Sequence, residues 1–167
     1  MLVTKEPGDG DPEIRHKLLY PPHPLTVWDE LDLFCEDRRL HVNNWILPAR
    51  AAGKIVLDDR FEPSTIAYQG YGRGMSLEEI KHRSAQARGD IWPDLILLLD
   101  LPPEVGLARG KGDTSFEKEK LDFHQRVRQG FLDQAKADPD RWRVIDASRS
   151  LEEVWEGTRD TVCKAIE

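Results

Sequence analysis

The sequence predicts a parallel α/β fold, and three observations carry that expectation. Short apolar runs suited to strands recur at Leu2-Val3-Thr4, Ile55-Val56-Leu57, Leu95-Ile96-Leu97-Leu98-Leu99 and Trp142-Arg143-Val144-Ile145-Asp146. Stretches with apolar residues at steps of three and four lie between them, so strands alternate with helices. The run at 95–99 is continuously apolar, as expected of a strand covered on both faces of a parallel sheet. The expected architecture is one domain, residues 1–167, with a parallel sheet covered by helices. No internal repeat, low-complexity tract or interdomain linker interrupts it.

Composition restricts the class further. At 39% hydrophobic and 33% charged residues the chain can bury a sizeable core, and no apolar run approaches a membrane span. With 24 basic against 31 acidic residues, the net charge of −7 argues against a duplex-DNA or anionic-membrane surface. Neither nucleic acid nor membrane is therefore an expected partner, and an anionic ligand must be met by local arginines. Cys35 and Cys163 show no metal or disulfide spacing, so reduced thiols in a cytoplasmic setting are expected. No secretory leader is expected either.

The opening strand should run into the turn-rich Lys5-Glu6-Pro7-Gly8-Asp9-Gly10. Asp11 and Pro12 supply an N-cap and a first-turn proline for a short helix through Leu19, which carries Arg15. The next helix is expected from about Thr26 to about Ala52, kinked or shortened at Pro48. Its inner face would hold Leu31, Phe34, Cys35, Arg38, Val42 and Trp45. Ser76 and Glu79 form a capping-box pattern for a helix ending near Gly89. After the strand at 95–99, Pro102-Pro103 should start a helix through about Arg109. The polar segment at about 110–116 is expected to be a mobile lid, and Glu117 to about Ala137 a further helix. Glu117-Lys118-Glu119-Lys120 reads as a solvated face. A last strand at 142–146, a turn at Ala147-Ser148 and a helix from Leu151 to about Ile166 complete the chain.

Two stretches carry chemistry. Asp58-Asp59-Arg60 leaves a strand at its carboxyl end, where parallel α/β sheets place their ligand crevice. A carboxylate there can hold a hydrated divalent metal, and a guanidinium can grip a phosphate through paired donors. Spacing alone fits a polar strand exit and a glycine turn as well as a site. One helix turn separates Phe34 from Arg38, so an aromatic face and a guanidinium project together, a combination suited to a nucleobase. Each alone reads as a core ring or a salt-bridged side chain. The five histidines, His16, His23, His41, His82 and His124, have no metal spacing and receive no catalytic role.

Taken in order, these residues resemble the thymidylate kinases, P-loop enzymes that transfer a phosphoryl group from ATP to dTMP. Thr4-Lys5-Glu6-Pro7-Gly8 is similar to the family's Thr-Arg-Glu-Pro-Gly segment, and Leu33-Phe34 with Arg38 to its base-binding helix. Asp59-Arg60 through Gly74 is similar to its most diagnostic signature, and Pro93-Asp94-Leu95 through Arg109 and Ile145-Asp146-Ala147-Ser148 also match in order. The resemblance implies a nucleoside-monophosphate-kinase-like fold in three layers, with helices on both faces of the sheet. It implies that Phe34 stacks on thymine, Arg38 bonds its edge, and Thr65 and Gln69 line the same pocket. Arg15 and Arg60 would hold the acceptor phosphate, and Tyr68 would crowd the sugar 2′ position. Asp59 would organise Mg2+, Arg109 would serve at the transferred phosphoryl group, and Asp146, Ala147 and Ser148 would lie beside the ATP adenine. A cytoplasmic homodimer making dTDP for dTTP synthesis is implied too.

Three departures qualify the resemblance. The family's G-x-x-x-x-G-K-[ST] loop precedes its Thr-Arg-Glu-Pro-Gly segment, and the 167 residues contain no such pattern. The first, central strand, that loop and the first helix are accordingly expected to be missing. Ser115 stands where many members carry a lid arginine, with Arg109 and Lys111 as the remaining candidates. Lys5 replaces the family's arginine and Asp9 its second glycine. The expected state is four strands, with those at 55–57 and 95–101 either separated or drawn into a new pairing. On this reading the chain is inactive and loosely packed unless the loop is supplied. The alternatives are a degenerate nucleotide-binding remnant and a kinase for another nucleoside or nucleotide.

Overall fold

A computed structural model describes residues 1–110 and 112–166. The lid candidate Lys111 lies outside the described residues. Four strands alternate with helices: β1 Leu2–Lys5, β2 Val56–Asp59, β3 Ile96–Asp100 and β4 Trp142–Asp146. Both pairings are parallel, β1 with β2 from Leu2 opposite Val56 to Lys5 opposite Asp59, and β3 with β4 from Ile96 opposite Trp142 to Asp100 opposite Asp146. Among the described residues these are two separate two-stranded sheets rather than one continuous sheet.

Helix starts follow local chemistry closely. Asp11 accepts the Glu13 amide at 2.8 Å to open α1, Pro12–Leu19. Thr26 and Asp29 exchange both capping-box bonds at the head of α2, Val27–His41. Ser76 caps α5, Leu77–Arg88, through the Glu79 amide, but the Glu79 carboxylate turns to Arg83 rather than back to the cap, so only half of the box forms. Gly89 ends α5 at φ 60°, in the left-handed region that favours glycine. The later helices are α6 Pro103–Arg109, α7 Leu121–Ala137 and α8 Leu151–Ile166.

The expected long helix from Thr26 to Ala52 is continuous but changes pitch. A π-helical turn, Val42–Ile46, separates α2 from α3, Leu47–Ala51, and the Leu47 amide bonds back five residues to Val42. The wider turn sits just before Pro48, which has no amide to donate, and it delays the inward-facing phase. Ile46 is consequently buried and Trp45, expected on the inner face, is 49% exposed. The glycine-rich stretch after β2 is likewise helical: α4, Glu62–Thr65, runs into a second π turn, Ile66–Gly72. Helix α7 packs along that turn. A Cβ on Gly72 would stand 2.6 Å from Phe123 Cε2, so glycine is what admits the close approach.

The strands are less buried than their composition suggests. Ile55 lies outside β2 and is 57% exposed, and Leu57 and Leu99 are each 52% exposed. Neither run is therefore a fully covered strand, because a two-stranded pair leaves alternate side chains without a covering layer. The core lies mainly among helices. Leu31 of α2, Ile66 and Ile80 form one buried cluster; Ala67, Phe116, Phe123 and Val127 form another; Val42, Ile46 and Phe61 form a third. No helix among the described residues is long and apolar enough to cross a membrane. Cys35 and Cys163 are free thiols, and burial pushes Cys35 up to about 11.

Candidate active site

The loop leaving β1 is locked onto α2 by bonds within the protein. The Gly8 amide donates to both Asp37 carboxylate oxygens, at 3.2 and 3.1 Å, and the Asp11 amide donates to Oδ1 at 2.9 Å. Gly10 lies so close that a Cβ there would stand 2.0 Å from the Asp37 carbonyl oxygen. Burial raises the Asp37 pKa, and the Asp11 and Gly8 amides oppose that rise by favouring the charged form.

A cavity of about 290 Å³ is lined by residues at the carboxyl ends of β1 and β2. Eight residues singled out in the sequence line it: Arg15, Phe34, Arg38, Asp59, Arg60, Thr65, Tyr68 and Gln69. Arg60 adopts φ 78°, uncommon for a residue with a side chain, and its guanidinium stands 5.4 Å from the Tyr68 ring centroid. Arg15 donates from Nη1 to the Pro7 carbonyl at 2.6 Å, which ties α1 to the loop. Phe34 and Tyr68 are half-buried and meet Phe116, with ring centroids 6.1 and 5.5 Å apart respectively.

Arg38 is only 1% exposed and is bound on nearly every side. Its Nε and Nη2 reach Glu6 Oε2 at 2.9 and 2.8 Å, Nη2 also donates to Thr65 Oγ1 at 3.0 Å, and Nη1 donates to Ser84 Oγ at 2.7 Å. A guanidinium has five N–H groups. These bonds therefore leave one Nη1 hydrogen among the described contacts. The network continues into His41, which is fully buried. The Thr4 hydroxyl donates to Asp9 at 2.6 Å and so accepts from His41 Nε2 at 2.7 Å, while Nδ1 faces Glu6 Oε1 at 2.9 Å. Both ring nitrogens thus face acceptors, the arrangement of an imidazolium. Burial lowers the His41 pKa, but Glu6, Asp58 and Asp37 outweigh it and the net shift is upward.

Glu6, His41 and Asp58 bring potential ligand atoms within 4.8 Å of one another despite having no sequence spacing. Hydrogen bonds already engage both His41 nitrogens and Glu6, so this donor set is committed within the protein. Both Asp58 oxygens are buried without a partner among the described residues. Burial, then the charge of Glu6, pushes the Asp58 carboxyl up to about 8. Asp59 differs: it is exposed at the end of β2, lines the cavity, and has no side-chain hydrogen bond among the described contacts. An accessible, uncommitted carboxylate suits a magnesium ion that keeps most of its water.

Sequence reasoning missed part of this wall. Phe116, Thr114, Glu117 and His124 all line the cavity, and Phe116 is buried. The segment before α7 is not a continuation of that helix, which starts at Leu121 rather than near Glu117. It folds over α1 instead, with the Ser115 amide and hydroxyl donating to the Leu19 and Leu18 carbonyls at 3.0 and 2.8 Å. The Glu117 carboxylate accepts from the Thr114 amide, and Glu119 ion-pairs with Arg73, so these acids do not form a merely solvated face. One signal was available: Phe116 is the single aromatic in an otherwise polar stretch. Arg109 and Asp146, Ala147 and Ser148 do not line this cavity. Arg109 is exposed at the end of α6, and Asp146 turns back on the Ser148 amide and hydroxyl just after β4.

Parallel strands, a helix carrying an aromatic and an arginine, and a cavity holding three arginines together define an α/β protein of the nucleoside-monophosphate-kinase type. The thymidylate kinase family model matches residues 1–157, and the chain belongs to that family. It is 48% identical over 154 residues to a thymidylate kinase of Synechococcus sp. (strain JA-2-3B'a(2-13)), covering 92% of this chain and 75% of that protein. It is 45% identical over 161 residues to one from Carboxydothermus hydrogenoformans, covering 93% and 78%. A crystal structure of thymidylate kinase from Ehrlichia chaffeensis superposes with a TM-score of 0.75 at 31% identity, over 96% of this chain and 79% of that one.

Proposed function

We propose that this chain phosphorylates dTMP to dTDP with ATP as donor, in dTTP synthesis, and that the cavity at the ends of β1 and β2 receives the acceptor nucleotide. The observation that carries the reading is the convergence of Arg15, Phe34, Arg38, Asp59, Arg60 and the Thr65–Gln69 turn on one cavity, from segments far apart in sequence. In this assignment Phe34 stacks on the base, the uncommitted Nη1 hydrogen of Arg38 meets its edge, and Thr65 and Gln69 close the same pocket. Tyr68 crowds the 2′ position and favours deoxyribose. Arg15 and Arg60 hold the monophosphate.

Asp59 would hold magnesium, which supplies charge neutralisation at the transferred phosphoryl group. Arg109 is assigned to the same group, and Asp146, Ala147 and Ser148 to the adenine of ATP. Phosphoryl transfer needs positioning and electrostatic stabilisation more than a covalent nucleophile, which is what arginines and a free carboxylate provide. A G-x-x-x-x-G-K-[ST] loop does not occur in the 167 residues, so the assignment gives them the acceptor half and includes a donor-phosphate loop acting with them. The working protein is a cytoplasmic homodimer in this reading. Calorimetric titration of the folded chain with dTMP, followed by a dTDP assay with ATP and magnesium after adding a segment bearing that loop, tests it. Saturable dTMP binding and loop-dependent dTDP formation are expected, and the absence of dTMP binding would overturn the reading.

A further inference from the structure

The cavity wall contains a buried amide whose orientation is set from outside the cavity. Gln69 is 0% exposed, and its Nε2 donates to Glu30 Oε1 at 2.7 Å. Its Oε1 is buried with no hydrogen-bond partner among the described residues. An amide has a donor end and an acceptor end, whereas an ionised carboxylate only accepts. Glu30 therefore dictates which end of Gln69 remains for a ligand.

Glu30 is itself held firmly. It is 6% exposed, and Arg73 donates to it from Nε at 3.2 Å and from Nη2 at 3.0 Å. The remaining Arg73 group, Nη1, pairs with Glu119, and the guanidinium stands 4.8 and 5.7 Å from the Phe123 and Phe116 ring centroids. The device that orients Gln69 is thus tied to the segment that brings Phe116 into the cavity wall.

We propose that Glu30, clamped by Arg73, is a positioning residue for base selectivity: it holds the Gln69 amide with its oxygen free for the bound base. This rests on the acceptor-site reading above. An oxygen in that place pairs with the N3–H of thymine or uracil and opposes the unprotonated N3 of cytosine, which is itself an acceptor. Water does not reach Oε1 in the unliganded cavity, so the bond forms as the side chains around it part for the base. Presenting an acceptor to an acceptor leaves both unpaired, which weakens binding by roughly tenfold to a hundredfold.

The test is the ratio of dTMP to dCMP affinity, measured by calorimetry on the wild-type chain, Glu30→Gln, Glu30→Asp and Gln69→Met. Gln at position 30 can donate as well as accept, so it releases the amide to turn over, and the ratio should fall by about tenfold or more. Asp keeps an acceptor-only group and should restore at least part of the ratio. Gln69→Met removes the amide and should bring the two affinities together, which keeps the inference testable if Glu30→Gln does not fold. General loosening of the fold would weaken both nucleotides alike and leave the ratio unchanged. Wild-type binding of dTMP with an unchanged ratio in Glu30→Gln, or in Gln69→Met, would overturn the positioning role while leaving the acceptor-site reading intact. Failure of the wild-type chain to bind either nucleotide would overturn both.

Discussion

Replacing Arg38 by Met should affect stability before it affects recognition. The side chain is 1% exposed, and its main partner, Glu6, is 5% exposed, so the pair is shielded from water on both sides. The substitution fills a similar volume but deletes two contacts to Glu6 and single bonds to Thr65 and Ser84. Glu6 would keep His41 as its one cationic neighbour in the network. Breaking a buried, hydrogen-bonded ion pair by removing one partner costs about 3–5 kcal/mol, chiefly because the other charge stays buried without full compensation. Urea unfolding of wild type, Arg38→Met, Glu6→Gln and the double variant would measure this. The single Arg38→Met change should lower stability by that amount at an unchanged denaturant slope, and adding Glu6→Gln should recover part of the loss. A loss under about 1 kcal/mol, the range of an exposed ion pair, would refute the reasoning, since it would mean the network is not desolvated in solution. Reduced dTMP binding by Arg38→Met alone would therefore not establish a base contact.

Three further outcomes are expected. Phe34→Ala should weaken dTMP binding by roughly 1–3 kcal/mol, the scale of an aromatic–base stack, and unchanged calorimetric affinity would place the base elsewhere. Arg60→Ala should weaken the monophosphate by about 1.5–3 kcal/mol while sparing thymidine, and equal losses for the two ligands would remove Arg60 from the phosphate site. Asp58 is raised from 3.8 to about 8, so the folded chain keeps a proton that the unfolded chain releases between about pH 4 and pH 8. Stability contributed by this group is present below the lower value and is lost as pH rises through that window, by up to about 1.4 kcal/mol per unit. His41, also raised, acts in the same direction. Asp58→Asn should therefore gain stability relative to wild type at pH 8 and little at pH 4, and equal differences in denaturant unfolding at both would contradict the assignment.

The order of the four strands, and of the helices outside the stretch at 62–72, was legible in the sequence, as were most helix starts. Those signals are local: Asp11, Thr26 and Ser76 satisfy amides two or three residues away, and Gly89 takes a backbone angle that its neighbours cannot. The Phe34–Arg38 pairing was legible for the same reason, as one helix turn fixes it. Helical pitch was not legible, because the π turn before Pro48 is recorded only in long-range packing, and one shifted residue exchanged Trp45 for Ile46 in the core.

The bonding partners came from the fold. Glu6 and His41 stand 35 positions apart, Gln69 and Glu30 39 apart, and Ser115 reaches Leu18 across 97 positions, so no periodicity announces any of these bonds. Packing likewise makes Arg38, read from the sequence as a ligand-facing group, first a buried counter-charge, and leaves Leu57 and Leu99 exposed in their short sheets. The physical reason is common to all of them. Side-chain type sets what a residue can bond to, whereas burial and the neighbour available within about 3 Å are properties of the folded chain as a whole.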